Sequence, residues 1–217
     1  MFICLLLVVA EDVAQNTIWR DSLATLNSEI QRNPGSTDLR LKKAAVNIEL
    51  NQWDYAVEEY GNVLRMEPKS LAARYFRAYA YTHLRQYALA KADYEAFLAV
   101  APVHLEARLG LATVNGRMGR TTDAMDELNR IVEMFPDSAV AWAARATFET
   151  SRRQYDAALY DWEEAVKRAP QNVDYVASQT DLLIALGRHG EAREQLEAAI
   201  GRGIPRGVLN EWIARCK

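Results

Sequence analysis

Proline spacing constrains this chain more than any other feature. Six prolines occur in 217 residues, and five of them, Pro34, Pro68, Pro102, Pro136 and Pro170, stand 34 residues apart. The sixth, Pro205, follows Pro170 by 35. A fixed period of roughly 20–50 residues marks a repeat architecture, in which each copy stacks on its neighbours to bury an apolar face it cannot bury alone. Ala56, Ala90, Ala124, Ala158 and Ala192 keep the same interval, as do Ala44, Ala78, Ala112 and Ala146, with Thr180 as their fifth member. Four residues after each of the first alanines comes a large side chain: Tyr60, Tyr94, Leu128, Trp162, Leu196. Three further on comes another apolar one: Val63, Phe97, Ile131, Ala165, Ala199. Steps of four and three place all three on one face of a helix.

One period shows how the elements are punctuated. In "STDLRLKKAAVNIELNQWDYAVEEYGNVLRMEP" a first helix is predicted from about Asp38 to Leu50, capped by Ser36 or Thr37. "NQ" makes the turn and a second helix runs from about Trp53 to Met66. Pro68 cannot continue it, having no N–H to donate. Ala44 and Ala56 are small where the two helices approach, and leucine at either should overpack the contact by about 1–3 kcal/mol. Trp53, Tyr87 and Tyr155 recur just after the turn, where an aromatic ring covers the helix junction. Thr121 and His189 are the departures, and weaker local packing is expected there.

These series resemble the tetratricopeptide repeat, a 34-residue unit of two antiparallel helices. The resemblance implies an all-α fold, an α-solenoid with a right-handed superhelix of stacked helix pairs. In that register the five units are 37–70, 71–104, 105–138, 139–172 and 173–206. Residues 15–36 form an N-terminal half repeat, with Trp19 in the place of Trp53, Ser22 in the alanine place, Leu26 in the place of Tyr60, and Pro34 closing it. Residues 207–217, "GVLNEWIARCK", make a C-terminal capping helix through Val208, Leu209, Trp212 and Ile213.

The opening "MFICLLLVVAEDVAQ" has two readings. As the first helix of the N-terminal unit it would place Leu6, Ala10 and Val13 at core positions and leave the protein in the cytoplasm. As a signal peptide over residues 1–14 it would send the protein out, to the periplasm or beyond the cell. The signal peptide is preferred. The stretch is apolar all round from Phe2 to Ala10, which an end helix with one face in water does not favour. Val8-Val9-Ala10 and Asp12-Val13-Ala14 each offer a small residue before a cut, although the usual basic n-region is missing.

Composition narrows the function. A net charge of −3 gives no argument for nucleic acid. No apolar run reaches the roughly 18–20 residues that span a bilayer. Cys4 and Cys216, near opposite ends, form neither a disulfide framework nor a metal cluster. His83, His104 and His189 lack a second ligand at metal spacing. Gly201 and Gly203 in "GRGIPRG" read as a helix terminator and not a phosphate loop. The acid pairs Glu58-Glu59, Asp126-Glu127 and Glu163-Glu164 recur on second helices and read as a solvated outer face, and Arg152-Arg153 reads as a solvated turn. No catalytic, cofactor or metal site is expected, and the chain reads as a non-enzyme.

Binding is the better search. In the family the first helices line a concave groove. The resemblance places Leu41, Ala45 and Ile48 there, then Tyr75, Tyr79 and Thr82, then Leu109, Thr113 and Gly116, then Ala143, Thr147 and Thr150, then Ala177, Asp181 and Ile184. Domains of this family that grip the C-terminal carboxylate of heat-shock chaperones carry lysine, asparagine and arginine where this chain has Leu41, Ala45 and Leu109, which speaks against that role. Tyr75 and Tyr79, four apart, share a helix face. With Thr82, His83 and Arg117 they are the candidate contacts for a protein or peptide partner, and the chain reads as an adaptor, scaffold or assembly factor. The other reading of the two tyrosines is packing against the next unit. Rival functions are a self-associating structural subunit and an enzyme or small-ligand binder on the same scaffold.

Overall fold

The computed structural model describes the backbone of residues 2–216 and side chains from Asn16 to Cys216. The side chains on which the signal-peptide expectation for residues 1–14 rests lie outside the described residues. Residues 1–118 and 119–217 form two compact units. The first holds α1 (Phe2–Arg32), α2 (Thr37–Glu49), α3 (Trp53–Met66), α4 (Leu71–His83), α5 (Tyr87–Leu98) and α6 (Leu105–Arg117). The second holds α7 (Thr121–Met134), α8 (Ala139–Ser151), α9 (Tyr155–Arg168), α10 (Val173–Ala185) and α11 (His189–Gly201), then a 3-10 turn (Arg206–Leu209) and α12 (Asn210–Arg215). Every regular element among the described residues is helical, and within each unit successive helices pack as antiparallel pairs.

The period governs local chemistry as well as helix ends. The residues before α2, α4, α6, α8 and α10 are Ser36, Ser70, His104, Ser138 and Asn172, all in extended backbone. Ser36, not Thr37, accepts from the backbone N–H of Leu39, and Ser70 and Asn172 act likewise. His104 caps α6 with its ring: Nδ1 accepts from the Ala107 N–H at 3.2 Å. The turn between first and second helices takes a left-handed residue each time, at Asn51, Arg85, Gly119, Arg153 and Gly187, with φ of 55°, 59°, 74°, 61° and 71°. Two of the five turns use glycine, which adopts this conformation without a Cβ penalty.

A further tie recurs six residues after four of the prolines. Arg40, Arg74, Arg108 and Trp142 each donate a side-chain N–H to the carbonyl of Pro34, Pro68, Pro102 and Pro136, at 3.2, 2.8, 2.7 and 2.8 Å. Each bond folds the inter-pair loop against the helix that follows it. Val176 stands in that register after Pro170 and has no donor to give.

The core follows the alanine series. Ala44, Ala56, Ala78, Ala90, Ala124, Ala146, Ala158 and Ala192 are fully buried. Thr180, the exception, is buried with its hydroxyl donating to the Val176 carbonyl at 2.7 Å, so the extra polar atom is satisfied. Tyr60, Tyr94, Leu128, Trp162 and Leu196 are buried in turn.

The acid pairs are not a uniformly solvated face. Glu59 and Glu127 are buried while their neighbours Glu58 and Asp126 are exposed. Successive helical residues point about 100° apart, so one of each of these two pairs turns inward, whereas neither Glu163 nor Glu164 is buried. Glu59 meets Lys43 at 2.7 Å and Arg40 at 2.8 Å. The same two register positions join Arg77 to Asp93 and Arg145 to Asp161, each through a forked pair of bonds of 2.6–2.9 Å.

The chain also departs from expectation at its ends. A first helix folded back on the N-terminal half repeat needs a turn near residue 16, but α1 continues from Phe2 to Arg32 as one helix. The left-handed turn position in this register is Thr17. A β-branched residue resists positive φ, so the helix runs on. At the other end, α11 stops at Gly201, Gly203 takes a φ of 104°, and the Ile204 N–H bonds back to Ala199. Leu209 and Cys216 are fully buried and Trp212 and Ile213 pack beside them, whereas Val208, within the 3-10 turn, faces out.

Candidate protein-binding surface

The aromatic residues singled out on α4 divide into two clusters. Tyr75 is half-buried, with its ring centroid 5.6 Å from Phe97, 5.4 Å from His104, 6.1 Å from Tyr94 and 5.0 Å from Phe76. Burial, reinforced by the Glu106 carboxylate, pushes its phenol above the usual range, so it stays neutral. Four residues on, Tyr79 is 37% exposed. Its ring meets the edge of His83 at 4.6 Å and of Trp53 at 6.0 Å. His83 lies flat on Trp53, centroids 3.9 Å apart and planes 8° from parallel. Trp53 starts α3, while Tyr79 and His83 end α4, so the patch spans two helix pairs of the first unit.

Thr82 sits between the clusters. Its hydroxyl donates to the Ala78 carbonyl at 2.9 Å. Arg117 is exposed in the last turn of α6, and no hydrogen bond, ion pair or ring contact joins it to the patch among the described residues. The structure thus brings Tyr79 and His83 together, puts Tyr75 in a separate ring cluster, and leaves Arg117 apart. Sequence reading missed Trp53 as a member of the patch. Its signal was its recurrence after the turn, read there as a junction cover only.

The patch offers flat π faces with hydroxyl and imidazole edges. Aromatic, proline or aliphatic side chains suit such faces, and the edges supply directional polar contacts. No group of three or more His, Cys, Asp or Glu able to hold a metal occurs among the described residues. No helix among them is long and apolar enough to cross a membrane.

The tetratricopeptide repeat model matches residues 41–90, 83–139, 116–173 and 144–207. The chain belongs to the tetratricopeptide repeat family. No curated protein sequence matches it. Among solved structures, this tetratricopeptide repeat protein resembles one from Parabacteroides merdae ATCC 43184, with a TM-score of 0.70 at 19% identity over 94% of this chain and 79% of that one. It resembles MamA from Desulfovibrio magneticus RS-1, with a TM-score of 0.64 at 17% identity over 76% and 93% of the two chains. It also resembles YrrB, described as a TPR protein with an unusual peptide-binding site, with a TM-score of 0.58 at 18% identity over 86% and 96%. At these identities the likeness is one of fold.

Proposed function

We propose that this tetratricopeptide repeat protein is a non-catalytic interaction module that binds a protein or peptide segment against the aromatic patch of its first unit. The observation that carries the reading is the exposure of Tyr79 beside a stacked pair, His83 on Trp53. Large rings held rigid at the surface give contact area with little entropy left to lose on binding. Thr82 flanks the patch as a secondary contact, while Arg117, which stands apart from it, is no part of this reading. Tyr75 supports it from the ring cluster behind. The peptide-binding description of YrrB, a relative in fold, is in keeping with this role. An adaptor, scaffold or assembly factor is the resulting class. With residues 1–14 as a leader, it would work outside the cytoplasm.

Capture from native cells with a C-terminal tag tests this, comparing wild type with Tyr79→Ala/His83→Ala. Loss of a partner by the variant is expected while it still melts cooperatively as a folded protein, its Tm lowered by no more than the few degrees that losing the ring stack costs. Recovery of the same proteins by both baits would rule the patch out as the recognition surface.

A further inference from the structure

The second unit holds a separate pocket with a definite chemical preference. It lies between α8, α9 and α10 and encloses about 530 Å³. Its apolar lining includes Trp162, Leu182 and Leu186, with Tyr155 at the start of α9. Its polar lining is Thr147, Thr150, Ser178 and Asp181.

Three of those polar groups, the two threonines and Asp181, offer acceptors alone, while the Ser178 hydroxyl can donate or accept. The Thr147 hydroxyl donates to the Ala143 carbonyl at 2.7 Å, and the Thr150 hydroxyl donates to the Ala146 carbonyl at 2.7 Å. Each hydroxyl has a single proton, so what both have left is lone pairs. Asp181 is an acceptor by nature. No lysine, arginine or histidine lines the pocket. Asp181 and the two threonines therefore favour hydrogen-bond donors and positive charge over an apolar and aromatic base, and Ser178 can turn its lone pairs to the same donors. An ammonium or guanidinium on an aliphatic stem meets all three demands: donors for the oxygens, charge for the carboxylate, and methylenes for the leucines and the tryptophan face.

Asp181 already holds a guanidinium of the chain's own. Arg215 on α12 reaches Asp181 Oδ1 at 2.7 Å, and the Trp212 indole N–H donates to the same oxygen at 3.0 Å. Glu211, one turn before Arg215, approaches its guanidinium at 3.9 Å. The Arg215–Asp181 pair is close to half exposed on both sides, so it holds weakly and yields to a competitor.

We propose that this pocket receives an arginine or lysine side chain of a protein partner, with Asp181 as the charge partner and Arg215 as its internal competitor. The proposal rests on the interaction-module reading for the partner being a protein, while the recognition of the side chain is tested apart from it.

The test titrates the full, isotope-labelled chain with N-acetyl-arginine amide, N-acetyl-lysine amide and N-acetyl-norleucine amide, and follows backbone and indole N–H resonances. Saturable shifts at Thr147, Thr150, Asp181 and Trp162 are expected with at least one of the basic probes, and none with norleucine. The stronger basic probe names the preferred residue. Asp181→Asn should weaken that binding by about tenfold, the scale of one lost charge-assisted hydrogen bond. Arg215→Ala should tighten it by about two- to fivefold, the scale of an exposed ion pair. Melting curves show that each variant is folded. Equal shifts with norleucine, no shifts with any probe, or Asp181→Asn binding like wild type would each overturn the proposal. Basic-probe binding without any captured partner would instead count against the module reading alone. A captured partner with no basic-probe binding would count against this pocket alone.

Discussion

The imidazole of His83 lies flat on the indole of Trp53, with centroids 3.9 Å apart, and joins the end of α4 to the start of α3. Stacked pairs of this kind contribute about 0.5–1.5 kcal/mol beyond the area they bury. A double-mutant cycle of Trp53→Leu and His83→Ala, read by urea denaturation, should therefore show a coupling of about 1 kcal/mol. A coupling near zero would mean that the two rings merely adjoin.

Gly110 faces the buried ring of Tyr94. A Cβ at Gly110 would stand 2.7 Å from the Tyr94 Oη and 2.8 Å from its Cε1. Tyr94 is 2% exposed and has little room to retreat. Gly110→Ala should destabilise the protein by about 1–3 kcal/mol despite alanine's better helix propensity. Adding Tyr94→Leu, with the residue found at Leu128 in the same register, should recover part of that loss. A stable Gly110→Ala single variant in thermal melting would contradict the packing.

Arg85 and Arg153 hold φ of 59° and 61° at turns where Gly119 and Gly187 serve in the same register. A left-handed residue with a Cβ costs roughly 1–2 kcal/mol, partly offset by the greater freedom glycine brings to the unfolded chain. Arg85→Gly and Arg153→Gly should each stabilise by about 0.5–1 kcal/mol, a rise in Tm of about 1–4 °C for a chain of this size. A fall in Tm would show that the arginine side chains contribute more than their backbone strain.

Glu149 is buried beside Asp161, which Arg145 already grips. Burial, followed by the negative charge of Asp161, raises its carboxyl from 4.5 to about 7. The folded state thus keeps a proton that the unfolded chain releases at lower pH, and this contribution to stability is lost as pH rises from about 4.5 through about 7. Glu149→Gln keeps the shape without the charge. Its stability should match wild type near pH 5 and exceed it near pH 8, measured as urea midpoints across that range. Parallel pH profiles would show that Glu149 titrates as an ordinary carboxyl.

Much of this architecture is legible without coordinates. Helix ends, caps, left-handed turns and the buried alanines follow from residues a few positions apart, repeated every 34. Backbone hydrogen bonding and helical periodicity act over that same short range. Thr17 in a turn position already says that α1 runs on, once the other five turns are known to be left-handed.

What only tertiary structure decided depends on side chains meeting across helices. Tyr75 and Tyr79 share a face of α4, and nothing local says that one joins the rings of Phe97 and His104 while the other stays open beside Trp53. Glu59 turns inward because Lys43 and Arg40 come to it from α2, and Gly110 is small because Tyr94 of the neighbouring helix fills its place. Asp181 became the acceptor of a defined pocket only when α8, α9 and α10 were set side by side. The period determines which residues face the stack, and the packing of unlike side chains in that common frame determines which of them remain free to bind.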